Sequence, residues 1–233
     1  MQFPIDEQSV VAFDLDDTLY KEIDFVRSGF TAVLQSLGLN SDEALELLIN
    51  WHTERLPVLD RLLTSLTTDS SLCGATAQLP LPSLKELLSV YRQHTPDIQP
   101  AAGCRALLAA IRSHEGAVAV VTDGRSTTQR NKIRSLQLDG IVEVIVVSEE
   151  FGSEKPDNRN FLEIARSFPG RTNFSYFADN PSKDFLGPNS LGWLTVQLDD
   201  DGRNIHSQQG SWPLAYRAAR RISSLTEVVV VPR

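Results

Sequence analysis

Short apolar runs alternate with amphipathic helical patterns along most of the chain. The first run, VVAF, occupies residues 10–13, and similar runs follow at residues 116–124, 141–150, 173–180 and 194–202. They are rich in β-branched and aromatic residues without clean polar alternation, which is typical of strands buried on both faces of a parallel sheet. Helical patterns at residues 101–114, 126–138 and 157–168 separate them. The alternation predicts an α/β fold with a Rossmann-like, doubly wound parallel sheet, and the tail EVVVVPR predicts a strand at its edge.

Residues 21–96 follow a different pattern, which contains helices and no convincing strand. Apolar residues recur at helical spacing in the first of these segments, and the predicted helices cover residues 24–37, 41–51, 58–66 and 83–94. Ser41 followed by two acidic residues is a strong helix start. We therefore predict an α-helical bundle at 21–96, inserted into a core formed by residues 1–20 and 97–233.

Composition and charge narrow the classes of partner. The chain has 233 residues and a formal net charge of −8, which argues against nucleic acid and against an acidic membrane surface as partners. Its N-terminus lacks a basic region, and no segment approaches the length of a membrane span, so we expect a cytoplasmic protein. Cys73 and Cys104 show no metal-binding spacing, and we expect both to be buried or half-buried.

Polar residues follow the predicted strands at the points where these end. The first strand runs into FDLDDT, the second into TDG, the third is followed by SEKP, and the fourth runs into ADNPSKD. If the strands are parallel neighbours, all four clusters meet at one edge of the sheet, where ligands bind in doubly wound folds.

The residue types in these clusters suit phosphate chemistry. Carboxylates such as Asp14 and Asp179 are the hard oxygen ligands that Mg²⁺ prefers. The Thr122 hydroxyl and the backbone N–H groups of Asp123 and Gly124 could hold phosphate oxygens, and Lys155 adds positive charge. One carboxylate could attack phosphorus while a second carboxylate nearby transfers protons.

The four segments FDLDDTLY, VVTDG, EKP and ADNPSKD resemble the four motifs of the haloacid dehalogenase superfamily, in the right order and over residues 11–184. That superfamily consists mostly of Mg²⁺-dependent phosphatases. The resemblance implies that Asp14 is the nucleophile and Asp16 the general acid/base, and that Thr122 and Lys155 bind the phosphoryl group. The inserted helices resemble the superfamily's α-helical cap, which implies a small phosphorylated metabolite as substrate.

The resemblance also assigns the metal site and its surroundings. It implies that Mg²⁺ is bound by the carboxylates of Asp14 and Asp179 and by the main-chain carbonyl of Asp16. Asp184 would ligate the metal through water or orient Lys155. Thr18 and Asn180 are expected as supporting residues, whereas the third acid of the first motif, Asp17, is expected to be structural.

Alternatives stay open at this point. The acid at position 16 favours a phosphatase over a dehalogenase, and Thr18, where mutases of the superfamily tend to have glycine, disfavours a phosphoryl-transferring mutase. A non-catalytic phosphate-binding or regulatory protein on the same fold is the third reading. The residues do not decide between sugar phosphates, nucleoside monophosphates and organic acid phosphates, between monomer and homodimer, or whether Arg125 or His52 reaches the substrate. The acidic stretch LDDDG (198–202) reads as a solvated turn.

Overall fold

The computed structural model describes all 233 residues, and the chain divides into two compact units. One unit comprises Met1–Glu22 and Gln99–Arg233, and the other comprises Ile23–Ile98. The strands, in chain order, are β1 (Gln2–Ile5), β2 (Ser9–Phe13), β3 (Ser71–Leu72), β4 (Ala75–Thr76), β5 (Ala117–Thr122), β6 (Val144–Val147), β7 (Asn173–Ala178), β8 (Leu194–Leu198), β9 (Arg220–Ile222) and β10 (Val229–Pro232). The α-helices are α1 (Glu22–Ser36), α2 (Asp42–Thr53), α3 (Val58–Thr68), α4 (Leu84–Gln93), α5 (Cys104–Ser113), α6 (Ser126–Ser135), α7 (Ser148–Phe151), α8 (Arg159–Ser167) and α9 (Leu186–Ser190).

A six-stranded parallel sheet organises the first unit, with the strand order β6-β5-β2-β7-β8-β9. The chain builds the sheet outward from β2 in one direction and then, from β7 onward, in the other. The order therefore reverses between β2 and β7, and in folds of this kind the crevice beyond the carboxyl ends at such a reversal is where ligands bind. The predicted doubly wound α/β fold is confirmed.

Both faces of this sheet are covered, which explains the unbroken apolar runs in the sequence. On one face, Val10 and Ala12 of β2 share a core cluster with Phe161 and Ile164 of α8 and with Phe168, which follows that helix. The alternate residues of β2 and β5 point to the opposite face, yet every residue of the two strands is buried. Helix α5 packs against β5. Strands covered on both faces need no polar residues, so the period-2 alternation is lost.

The structure corrects two sequence predictions about strands. The apolar tail forms β10, but β10 pairs in parallel with β1 in a separate two-stranded sheet, and the edge of the main sheet is β9. The run at 141–150 is a strand only over β6, because its second half turns into the short helix α7. The run stops being a strand where its apolar residues give way to Ser148, Glu149 and Glu150, which form the start of α7.

The second unit contains most of α1 and all of α2–α4. Ser41 begins α2 by accepting a hydrogen bond from the N–H of Ala44, as predicted, and Ser83 begins α4 with a full capping box. The unit also contains the small antiparallel hairpin β3–β4, which the sequence did not reveal, and Cys73 lies exposed in its turn rather than buried. Cys104 is buried as expected. The role of this unit as a cap stays a prediction.

None of the helices is both long and apolar enough to cross a lipid bilayer.

Candidate active site

Three neighbouring strands deliver the first acidic and polar residues of the site. Asp14 follows β2, Thr122 ends β5 and Asp179 follows β7. The N–H of Asp14 donates to the carbonyl of Phe177 at 2.8 Å, which continues the β2–β7 ladder up to the carboxylate-bearing residue. The side chains of Asp14, Thr122 and Asp179 are all buried. Their common position follows from the parallel register, since adjacent parallel strands end at the same edge.

Lys155 binds two carboxylates in the interior of the site. Its Nζ lies 2.5 Å from Asp14 and 2.7 Å from Asp184, and it also donates to the hydroxyl of Tyr176 at 3.2 Å. Burial opposes the charged amine, but the adjacent Asp14 and Asp184 carboxylates raise the pKa of Lys155 well above its usual range. Asp184 is thus in contact with Lys155, which is what the second of its two expected roles requires.

Asp14, Asp179 and Asp184 form a cluster of three carboxylates, whose negative charge is larger than the positive charge of Lys155. One oxygen from each lies within 4.8 Å of the others, and all three residues are buried. Burial raises the pKa of Asp14 to about 7, and burial together with Asp184 and Asp14 raises the pKa of Asp179 well above its usual range. Buried like charges disfavour joint ionisation unless a cation lies among them. A buried set of hard oxygen donors with this charge excess fits a divalent cation such as Mg²⁺.

Asp16 lies in a different environment, which the sequence did not reveal. Its Oδ1 accepts from Lys132 Nζ at 2.7 Å and from the Tyr20 hydroxyl, and its Oδ2 accepts from Gln129 Nε2 at 2.9 Å. Burial raises the pKa of Asp16, but Lys132 and these hydrogen bonds outweigh burial and lower it. Asp14 and Asp16 thus differ in the direction of their pKa shifts although only one residue separates them.

A signal for Lys132 and Gln129 does exist in the sequence of α6. The buried face of this helix is formed by Gln129, Lys132 and Ile133, which are three and four residues apart. A glutamine and a lysine where a helix presents its core face indicate a polar partner in the interior. The pattern becomes informative only once the inward face of the helix is known.

The turn after β5 is built differently from what the sequence predicted. The carboxylate of Asp123 accepts from the N–H of Lys155 at 3.0 Å and pairs with Lys183 at 3.2 Å, so its side chain braces two other loops. The N–H of Gly124 donates to the Ser148 hydroxyl at 2.9 Å. This N–H therefore has a partner within the protein, and its predicted contact with a phosphate oxygen stays a prediction.

The remaining residues of the first and fourth motifs shape their loops. Asp17 accepts from the N–H groups of Glu22 and Ile205 at 2.9 and 3.0 Å, in keeping with the structural role expected for it. The side-chain oxygen of Asn180 accepts from the N–H and the hydroxyl of Ser182, and the backbone N–H of Asn180 donates to the Asp184 carboxylate. The hydroxyl of Thr18 is fully buried and has no hydrogen-bond partner.

The acidic stretch after β8 is more than a solvated turn. Lys21 binds Asp201 at 2.9 Å and donates to the side-chain oxygen of Asn204 at 2.7 Å. The amide nitrogen of Asn204 in turn donates to Asp179 at 3.0 Å. This loop therefore supports one carboxylate of the candidate metal site, a contact that spans 25 residues of sequence and carries no local signal.

The sequence left open whether Arg125 or His52 reaches the substrate, and the structure shows what each of them contacts. Arg125 is exposed and lies 3.8 Å from Glu149. His52 lies in α2, where its ring packs edge-on against Phe30 and burial lowers its pKa.

Comparison with known proteins decides the family. The sequence model of the haloacid dehalogenase-like hydrolases matches residues 11–189, most of the chain. The chain belongs to this family.

Similar proteins extend the comparison. This haloacid dehalogenase-like hydrolase is 26% identical over 201 residues to a glyceraldehyde 3-phosphate phosphatase of Methanopyrus kandleri, over 81% of this chain and 82% of that protein. It is 25% identical over 197 residues to the protein of the same name from Methanothermobacter thermautotrophicus, over 82% and 85%. The HAD-hydrolase YfnB of Bacillus subtilis, solved bound to magnesium, shares the fold with a TM-score of 0.60 at 18% identity, over 94% of this chain and 96% of that one. Family and relatives together identify an enzyme of the phosphatase type, a phosphoric monoester hydrolase.

Proposed function

We propose that this enzyme is a Mg²⁺-dependent phosphatase that hydrolyses a small phosphorylated metabolite through an aspartyl-phosphate on Asp14. The observation that carries the proposal is the contrast between two carboxylates at the end of β2. Asp14 is buried against Lys155 at the carboxylate cluster, whereas Asp16 is held by Lys132, Gln129 and Tyr20. Each carboxylate therefore has partners of its own, which allows the two groups to take separate roles in one reaction.

The residues present fit a bound Mg²⁺. Asp14 and Asp179 would hold it through their carboxylates and Asp16 through its main-chain carbonyl, with Asp184 close enough to act through water or through Lys155. When bound, the ion supplies positive charge that offsets the negative charge of the phosphoryl oxygens and of the carboxylates.

The protein's own residues would carry both chemical steps. A carboxylate oxygen of Asp14 forms a bond to phosphorus while the bond from phosphorus to the ester oxygen breaks. Asp16, which takes up a proton as the negatively charged phosphoryl group binds beside it, donates that proton to the departing oxygen. Asp16 then takes a proton from water as the water oxygen bonds to phosphorus. The bond from phosphorus to Asp14 breaks, inorganic phosphate leaves, and both carboxyl groups return to their starting states.

Thr122 and Lys155 would hold the transferred group. Thr122 has its hydroxyl at the end of β5, and Lys155 is the cation next to the attacking carboxylate. Charge-assisted hydrogen bonds to phosphoryl oxygens are among the strongest that side chains make. They would fix the phosphorus in line with Asp14, which is the main requirement for phosphoryl transfer.

For the substrate, we propose a short phosphorylated carbon chain, with glyceraldehyde 3-phosphate as the first candidate. The support is the name shared by the two relatives that match more than four fifths of this chain. A panel of sugar phosphates, nucleoside monophosphates and organic acid phosphates, assayed for released phosphate, tests this choice. Formation of a phosphorylated acceptor instead of free phosphate would favour a mutase.

The central test is the variant Asp14→Asn, which keeps the size of the side chain but removes the nucleophile. We expect turnover of p-nitrophenyl phosphate with Mg²⁺ to fall by about a thousandfold or more while circular dichroism stays unchanged. The matched control is Asp139→Asn, at an exposed position of the same unit, which should keep wild-type activity. Retained turnover in Asp14→Asn would rule out Asp14 as the nucleophile.

The intermediate is tested separately by mass spectrometry of enzyme quenched in acid during turnover. We expect phosphate on the peptide that contains Asp14. Turnover by an enzyme that shows no phosphorylated peptide, even when Asp16→Asn slows the second step, would contradict the aspartyl-phosphate route.

A further inference from the structure

The buried face of α6 carries two polar side chains that the proposed reaction does not yet explain. Gln129 is 2% exposed and Lys132 is 3% exposed. Burying an amide or an amine costs free energy unless each finds partners, so an apolar residue would pack α6 at lower cost. The partners of Gln129 are two residues of the candidate site, Asp16 and Thr122.

The orientation of the Gln129 amide follows from the chemistry of its partners. Its Nε2 lies 2.9 Å from Asp16 Oδ2 and 2.6 Å from Thr122 Oγ1. An ionised carboxylate only accepts hydrogen bonds, so the amide nitrogen must face Asp16. The second hydrogen of the same nitrogen is then donated to the oxygen of Thr122.

This arrangement determines what the Thr122 hydroxyl does. Because its oxygen accepts from Gln129, its single hydrogen points to another acceptor. An unprotonated phosphoryl oxygen only accepts hydrogen bonds, so the hydroxyl is set as a donor that suits such an oxygen. The other partner of the amide, Asp16, is held at the same time by Lys132.

Gly124 leaves room for the Gln129 amide, which bridges Asp16 and Thr122 through its two hydrogen bonds. Its φ of +134° is open to glycine, and a Cβ at this position would lie 3.2 Å from the Gln129 amide carbon and 3.3 Å from its oxygen. Contacts this short would push the amide away from Asp16 and Thr122. The turn and α6 thus fit each other at the bridge.

We propose that Gln129 is a positioning residue that sets the Thr122 hydroxyl as a donor to the phosphoryl group and holds the Asp16 carboxylate beside it. The part that concerns Asp16 rests on the proposed phosphatase function, whereas the part that concerns Thr122 requires only that the site binds phosphate. Gln129 itself need not touch the substrate.

A double-mutant cycle on phosphate binding tests the Thr122 part. Affinity for inorganic phosphate is measured by titration calorimetry in the presence of Mg²⁺ for wild type, Gln129→Met, Thr122→Val and the double variant. We expect Gln129→Met to weaken binding about 5- to 10-fold and to add nothing in the Thr122→Val background, because the group it positions is then absent. Independent losses that multiply in the double variant would overturn this part, and so would a wild type that binds no phosphate.

A second cycle, on kcat for p-nitrophenyl phosphate, tests the Asp16 part. Gln129→Met should lower kcat about 10-fold in the wild-type background and leave kcat unchanged in the Asp16→Asn background. An equal loss in both backgrounds would mean that Gln129 does not act through Asp16 and would overturn this part. Should Gln129→Met not fold, Gln129→Ala takes its place.

The matched control is Arg134→Met, at an exposed position of the same helix, for which we expect wild-type phosphate affinity and kcat. The two readouts also separate failure of the proposal from failure of the proposed function. A wild type that binds phosphate but releases none from p-nitrophenyl phosphate would disprove the phosphatase, while the binding cycle would still decide whether Gln129 positions Thr122.

Discussion

Lys155 and Lys132 are both buried, both contact one of the two carboxylates of the first motif, and both lie close to a tyrosine ring, yet their clusters differ in charge. Lys155 lies 5.9 Å from the ring of Tyr176, and Lys132 lies 5.8 Å from that of Tyr20. Lys155 is shared between Asp14 and Asp184, whereas Lys132 binds Asp16 together with neutral donors. The cluster around Lys155 has more negative than positive charge, which suits a further cation. Around Lys132, the single carboxylate of Asp16 is held by one cation and by two neutral donors.

The comparison teaches that position in a motif does not define the chemistry of a carboxylate. Burial raises the pKa of Asp14 to about 7, while the donors around Asp16 overcome burial and lower its pKa. Two acids of one type, two residues apart, thus acquire different properties from their neighbours alone, as the roles proposed for them require.

The largest expected effect comes from removing each lysine in turn. Lys155→Met leaves the carboxylates of Asp14 and Asp184 buried without their cation, and we expect it to lower the free energy of unfolding by about 3–5 kcal/mol and to abolish activity. Lys132→Met leaves Asp16 with Gln129 and Tyr20 as donors and should cost only about 1–2 kcal/mol. Urea denaturation at pH 7 without metal measures both, with Arg134→Met as the control for α6. Equal losses would mean that the clusters do not differ as described.

The next effect concerns pH and applies to the metal-free protein. The pKa of Asp14 rises from 3.8 to about 7 on folding, so between these values the folded state holds more protons than the unfolded state. Asp14 should therefore make the free energy of unfolding fall as pH rises from about 4 to about 7, with a contribution of about 4 kcal/mol at most, and Asp179, whose pKa is also raised, adds to the decline. The contribution of Asp16 has the opposite sign and lies at lower pH, because its pKa falls below 3.8 on folding.

Chemical denaturation over this pH range checks the expectation. The decline should be smaller in Asp14→Asn and should persist in Asp16→Asn. A wild-type slope in Asp14→Asn would show that other groups, such as Glu22, whose pKa burial raises to about 8, account for it.

The smallest of the three effects is stabilisation by Mg²⁺. At a free concentration of 100 times its dissociation constant, the ion should stabilise wild type by about 2.7 kcal/mol. Asp179→Asn removes a proposed ligand and should lose most of this gain, whereas Asp16→Asn keeps the proposed main-chain ligand and should retain it. Thermal unfolding with Mg²⁺ and with EDTA measures the difference. A full gain in Asp179→Asn would remove that residue from the metal site.

Part of the site could be predicted because the residue pattern marks the ends of the strands and the parallel sheet brings those ends together. Asp14, Thr122 and Asp179 follow apolar runs that read as buried strands, and parallel strands bring their carboxyl ends to one edge. Gln129, Lys132 and Asn204 could not be predicted in the same way. The first two depend on which face of α6 is buried, and the third on where a long loop returns.

The α/β class, the order in the chain of β2, β5, β6, β7 and β8, and the set of strand-end residues could be inferred from the residue pattern. Strands buried on two faces and polar residues at strand ends are visible in the sequence. Three further features depend on how the elements pack: the tail pairs with β1, the Gly124 N–H donates to Ser148, and α6 directs Gln129 and Lys132 toward Asp16. These contacts join residues far apart in the chain. Their geometry depends on how whole elements pack, which no local pattern records.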